Sequence, residues 1–247
     1  MNIILDDGFH YGIGVFETIL LIENKPVFLG EHLNRIHNSM EYFKIDQKID
    51  SEKILQFLDK QKIKNRAVLK ISASPKNLFF EMKNYHYKKE QFQKGFSLIE
   101  SPILRNESSP FTYHKTLNYG DNILEKRRAS RENRDEPYFI NTKGMIAEGA
   151  TTNLFFVKKG KLFTPKTESG LLKGIVRQWV LKQYDVAEIN ILKDDISDYE
   201  EIFATNSLLG IMPVHSVNDI QMPSMKISFT MHKEYEKFLE KNYSFDK

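Results

Sequence analysis

Three segments in the C-terminal half hold residue types that could serve one ligand. In Gly144-Met145-Ile146-Ala147-Glu148-Gly149-Ala150-Thr151-Thr152-Asn153 a lone acid stands between an apolar strand and a run of small and hydroxyl residues. In Gly170-Leu171-Leu172-Lys173-Gly174-Ile175-Val176-Arg177 a glycine opens a helix, whose first N–H groups are unpaired and whose dipole is positive at that end, a combination that binds phosphate. Ala204-Thr205-Asn206-Ser207 ends a strand with three hydrogen-bonding side chains. Taken singly, each also reads as a turn, a helix cap or a strand end.

Other motifs are weaker. Gly12-Ile13-Gly14 lacks the third glycine of a dinucleotide fingerprint and precedes a strand where that fingerprint opens a helix. The sequence holds no Walker loop, no Gly-x-Ser-x-Gly elbow and no His-Glu-x-x-His. His32, His37 and His86 have no carboxylates at metal-ligand spacing and read as surface or satisfied core residues. The basic run Lys126–Arg134 is interleaved with Glu125, Glu132, Asp135 and Glu136, the pattern of a solvated helix face held by i,i+4 pairs.

The scaffold that must position these segments is 247 residues long, with 40% hydrophobic and 28% charged residues, so the chain can bury a core. Its net charge of +3 is the difference between 36 basic and 33 acidic residues, which supplies no field for nucleic acid or a membrane surface. The lack of cysteine excludes disulfides, thiolate metal sites and cysteine nucleophiles. Met1–Asp7 has no basic leader region and no apolar run approaches a membrane span, so the expected location is the cytoplasm.

Val15–Ile22 reads as a strand entering a turn at Glu23-Asn24-Lys25, followed by a helix on which Leu33, Ile36, Met40 and Phe43 share a stripe while His32 and Arg35 fall off it. A helix over 51–63 and strands at 66–73, 78–82 and 95–100 come next. The Pro- and Ser-rich Ser101–Pro110 has the composition of a connection, placing a domain boundary at 105/106. Beyond it the pattern predicts a helix over 118–132, strands at 137–141, 153–158, 186–191 and 201–205, and helices over 174–184 and 227–242.

Five stretches in this order resemble the fold type IV pyridoxal-phosphate (PLP) enzymes, which include branched-chain and D-amino-acid aminotransferases and aminodeoxychorismate lyase. They are Tyr11–Thr18, Glu31–Arg35, Lys115–Tyr119, Glu148–Phe155 and Leu172–Arg177. The resemblance implies an α/β (α+β) fold of two domains, a small one over 1–105 and a larger pseudo-barrel over 106–247, with PLP at their interface. It implies a homodimer and a small-molecule amine as substrate. By the same resemblance Lys115 is the catalytic lysine that holds PLP as a Schiff base, and Arg35 binds the phosphate. Glu148 faces the pyridine nitrogen, where an acid keeps the ring protonated and a stronger electron sink. Tyr119 lies near the ring hydroxyl and Leu172 on the ring face, while Thr151, Gly174, Ile175, Val176, Asn206 and Ser207 complete the cofactor contacts. Thr205–Val214 and Lys115–Asn118 look more like the lyase than the aminotransferases, which implies release of 4-aminobenzoate and pyruvate; the alternative is transamination of D- or branched-chain amino acids.

Overall fold

A short helix α1 (Asp7–Tyr11), N-capped by Asp6, leads through Gly12-Ile13-Gly14 into strand β1 (Val15–Ile22). In this computed structural model, which describes residues 2–63 and 65–243, β1 turns back through Glu23 and Asn24, both at positive φ, into the two-residue β2 (Lys25–Pro26). That turn is the tight hairpin whose twist matches its strands. Helices α2 (Leu29–Tyr42) and α3 (Ser51–Leu58) follow, then β3 (Arg66–Ala73) and β4 (Leu78–Asn84). β3 pairs antiparallel along all of β1, Val15 opposite Ala73 and Ile22 opposite Arg66, and the sheet order is β2-β1-β3-β4. Ile36, Met40, Ile54 and Leu58 from the helices join Ile19, Leu21, Leu69 and Ile71 from the sheet in one apolar core. His114–Tyr119 and the chain from Lys237 belong to this first unit.

The second unit takes Tyr87–Tyr113 and Gly120–Glu236. It begins with α4 (Lys89–Lys94), β5 (Phe96–Glu100), α5 (Pro110–Tyr113), α6 (Gly120–Arg131), β6 (Glu136–Ile140) and β7 (Ile146–Gly149). It continues through β8 (Asn153–Lys158), β9 (Lys161–Pro165), α7 (Ile175–Gln183), β10 (Val186–Ile189), β11 (Glu201–Asn206), β12 (Gly210–Val217) and β13 (Ile220–Gln221), then α8 (Lys226–Tyr243), whose last turns count with the first unit. The sheet order is β10-β9-β8-β11-β12-β5-β6-β7, with β13 on β12. β7 and β8 stand far apart in this order, yet three residues join them, so the sheet curls. Its core gathers Phe96, Leu98, Tyr138, Phe156, Ile202 and Met212.

Several elements differ from the sequence pattern. The α3 helix stops at Leu58 and α6 begins at Gly120, after Lys115–Tyr119 has run as an irregular, bent segment. Strand β12 carries Pro213 in its middle, opposite Phe203, and a proline there hides the strand signal. β5 lies parallel to both β12 and β6, so residue 105 falls inside the second unit. Ser101–Pro110 is no free connection: Ser101 is buried and the Arg105 N–H donates to the Ile140 carbonyl at 2.8 Å. The basic helix α6 is only partly a solvated face. Arg128 does bridge Glu125 and Glu132, but Glu125 and Glu136 are buried, and Glu136 accepts from Lys126 and from Thr151 and Thr152.

Candidate active site

In the first unit the site grows from two glycines. A Cβ on Gly14 would meet Leu117 Cδ1 at 2.5 Å, and Gly12, at φ +71°, would meet Asn118 at 3.0 Å. Their absence of side chains lets the segment after His114 lie against the entry to β1, where Phe16 N donates to the Lys115 carbonyl and Leu117 N to that of Gly14. Lys115 is thereby fixed with its Nζ 4.3 Å from the Phe16 ring centroid and 5.1 Å from that of Tyr119. Phe16 and Tyr119 meet edge to face at 5.2 Å. His114 stacks on Tyr42 and its Nδ1 meets Ser39 Oγ at 2.9 Å, which braces the segment from the other side.

Arg35 and His32 both reach Glu17, buried at the centre of β1. Arg35 donates to the two Glu17 oxygens through Nε and Nη2, each at 2.7 Å, and His32 Nδ1 lies 2.6 Å from Oε2. Burial works to raise the Glu17 carboxyl, but Arg35 and then His32 outweigh it and hold the group far below the usual carboxylate range. His32 is pushed toward its neutral form by burial, against the pull of Glu17 and with the push of Arg35 and Lys115. The helical stripe left His32 outside, yet it is 1% exposed, because a charged partner on the sheet draws it inward. Its Nε2 is buried without a hydrogen-bond partner among the described residues.

In the second unit Glu148 sits on β7, mostly buried. Its Oε2 accepts from Leu172 N at 2.9 Å, and its Oε1 lies 3.1 Å from the Arg105 guanidinium. The acid therefore has a cation of its own beside it. That cation, Arg105, comes from the Pro- and Ser-rich stretch 101–110, which the sequence pattern reads as a connection. The Leu172 carbonyl accepts from Asn153 Nδ2 at 2.8 Å, so both backbone groups of Leu172 are tied while its side chain is half-buried. A Cβ on Gly174 would meet Asn153 Oδ1 at 2.1 Å, and only glycine fits there. Gly174 is extended at the start of α7 with no side-chain cap, so the N–H groups of Ile175 and Val176 are left for a ligand while both side chains are buried.

Thr151 and Asn206 use their side chains on the protein. Thr151 Oγ1 donates to Glu136 at 3.0 Å, while Asn206 Oδ1 takes the N–H groups of Leu208 and Leu209 and its Nδ2 donates to the Thr151 carbonyl. Ser207 is half-buried on the turn that Asn206 closes. Thr205 Oγ1 is buried and lacks a hydrogen-bond partner among the described residues. An uncapped helix start at an obligate glycine, a buried orphan hydroxyl and a carboxylate held by a cation fit a phosphate-bearing heterocycle such as PLP. Glu17, His32 and Arg105 are what sequence reading missed as partners. The His32-x-x-Arg35 spacing, which puts both on one side of a helix, was the available signal for His32, and Arg105 had none.

The sequence profile of the amino-transferase class IV family matches residues 14–217, and the chain belongs to that family. It is a fold type IV enzyme, of a class that works with PLP. An aminodeoxychorismate lyase of Bacillus subtilis is 28% identical over 243 residues, 89% of this chain and 82% of the relative. A branched-chain-amino-acid aminotransferase of Escherichia coli is 26% identical over 258 residues, 89% and 81% of the two chains. Among solved structures, a candidate 4-amino-4-deoxychorismate lyase of Legionella pneumophila superposes with a TM-score of 0.86 at 27% identity, over 96% of this chain and 95% of that one. The branched-chain aminotransferase of Thermobaculum terrenum, solved in its PLP form, gives 0.78 at 22% identity, over 95% and 87%, a likeness of fold. Among the described residues no helix is long and apolar enough to cross a membrane.

Proposed function

We propose that this chain is a PLP-dependent lyase that splits 4-amino-4-deoxychorismate into 4-aminobenzoate and pyruvate. The observation that carries the reading is the Asn206-Ser207-Leu208-Leu209-Gly210 turn closed by the Asn206 side chain, in the segment where the lyase resemblance is strongest. The lyase relatives from Bacillus subtilis and Legionella pneumophila support it.

In this reading Lys115 would hold PLP covalently, Arg35 and the N–H groups at Gly174–Val176 would hold its phosphate with Ser207, Glu148 would face its nitrogen, and Tyr119, Thr151, Leu172 and Asn206 would shape the rest of its bed. When bound, PLP supplies an electron sink conjugated to the carbon that bears the substrate amine. The Lys115 amine would take the proton from this ring carbon. The bond from the ring to the enolpyruvyl oxygen breaks as the ring becomes aromatic, and the departing enolpyruvate takes a proton on its methylene carbon to become pyruvate. Lys115 is regenerated without a second substrate. Lys115 lies beside Phe16 and Tyr119, with its Nζ against both rings. The protein in this reading is a cytoplasmic homodimer acting on a small amine.

Similarity to aminotransferases over nearly the same length favours one alternative, transamination of D- or branched-chain amino acids. The test is to incubate the PLP-loaded protein with 4-amino-4-deoxychorismate alone, and separately with D-alanine, D-glutamate or a branched-chain amino acid plus 2-oxoglutarate (2-oxoglutarate replaced by pyruvate for D-glutamate). Many turnovers to 4-aminobenzoate and pyruvate in the first case support the lyase. New amino acid from the keto acid, with no 4-aminobenzoate, would replace it by the aminotransferase.

A further inference from the structure

Arg105 is built into the second unit with more care than a surface arginine needs. Its N–H donates to the Ile140 carbonyl, its guanidinium carbon lies 3.9 Å from the centroid of the Phe139 ring, and Nη1 donates to Asn122 Oδ1 at 3.3 Å. Asn122 is itself fixed, donating through Nδ2 to the Ala150 carbonyl at 2.6 Å. Gly170, at φ +93°, leaves room for the arginine stem, since a Cβ there would come within 3.3 Å of Arg105 Cγ. Phe139 is also the strand neighbour of Glu148 in the β6–β7 ladder, so the ring that carries the guanidinium and the carboxylate share one register. Among the described residues the only ion pair of Arg105 is with Glu148.

We infer that Arg105 is a positioning residue that keeps Glu148 ionised and aimed, so that the proton shared with the pyridine nitrogen stays on the nitrogen. The inference rests on the reading above, in which Glu148 faces that nitrogen. Burial favours a neutral carboxylic acid over a carboxylate, and a carboxylic acid opposite a pyridine can keep the proton and leave the ring uncharged. A neighbouring cation reverses that preference, and arginine is the one side chain that does not give up its own proton in the process. Leu172 N–H and Arg105 each take one carboxylate oxygen. The N–H bond holds one oxygen in place and the guanidinium supplies the neighbouring positive charge to the other.

The test uses the PLP-loaded protein and the variants R105M, R105K and E148Q, with three readouts: PLP affinity, kcat against KM, and the infrared carbonyl band of a protonated carboxylic acid. R105M is expected to bind PLP within about tenfold of wild type, to lose about 10- to 100-fold in kcat with little change in KM, and to show a carboxylic acid band that the R105M/E148Q double variant lacks. R105K, which restores the charge without the stacked fork, should recover most of kcat and lose the band. If R105M is recovered unfolded, R105Q, which can keep the Asn122 bond, carries the same expectation. An R105M or R105Q enzyme with wild-type kcat and no new band, alongside an impaired E148Q, overturns the role of Arg105 alone. An E148Q enzyme with unchanged bound-PLP absorption and kcat removes the assignment of Glu148, and this inference with it.

Discussion

Replacing Glu17 by glutamine tests the first half of the site at its foundation. Glu17 is 1% exposed and accepts from Arg35 on both oxygens, with His32 Nδ1 sharing Oε2, so the amide keeps the shape and removes the charge that both partners face. Breaking a buried ion pair from one side costs about 3–5 kcal/mol, because the other charge is left uncompensated. Arg35 retains 15% side-chain exposure and the amide oxygen can still accept one bond, which places E17Q near the low end, about 3 kcal/mol, or about 10²-fold in the folding equilibrium. That is a large part of the ~5–15 kcal/mol by which a domain is stable. Urea unfolding at pH 7 measures it, with E17M/R35M as the partner experiment: removing both charges should recover most of the loss. The pH dependence has a definite sign. The folded pKa of Glu17 lies below its ordinary 4.5, so its stabilisation is complete above that value and is lost as pH falls toward the lower folded one. The gap between wild type and E17Q should therefore be full at pH 7 and narrow below about pH 4.5. A loss under about 1 kcal/mol at pH 7, or a gap that persists undiminished to pH 3, would refute the claim that this ion cluster is held by charge.

Borohydride reduction of the PLP-loaded protein should leave the cofactor on the peptide carrying Lys115, read by mass spectrometry; recovery on another lysine would end that assignment. Gly174→Ala should weaken PLP binding by about tenfold or more, because the new Cβ displaces Asn153 Oδ1 and with it the bond that anchors Leu172, a loss of about 1–3 kcal/mol; unchanged affinity would show that the start of α7 plays no part. Asp6, whose carboxyl is lowered to about 2 despite burial by Ser74, the Lys76 and Phe9 N–H groups and Asn77, adds stability above pH 3.8 that fades toward pH 2. D6N should be less stable than wild type by about 1–3 kcal/mol at pH 7 and converge with it in acid, as urea titrations at the two pH values would show.

The sequence alone determined whatever depends on local pattern. Runs of apolar residues marked β1, β3 and β8, the three- and four-residue steps of Leu33, Ile36 and Met40 marked α2, and glycine before an apolar helix marked the start of α7. Five ordered motifs carried the family, and the proposal of Lys115 and Glu148 as site residues rests on them, because no spacing argument could have chosen these two from so many charged residues. Tertiary structure decided the pairings. That Glu17 is the counter-ion of Arg35, 18 positions away, and Arg105 that of Glu148, 43 positions away, follows from which elements pack together, helix α2 on β1 in one case and the stretch around Arg105 beside β6 and β7 in the other, and such packing is not written in local periodicity. The same holds for Gly14 and Gly174. Their sequence contexts say only that a turn or a cap is allowed, while the chain that fills the missing Cβ space, Leu117 in one case and Asn153 in the other, is supplied by the fold.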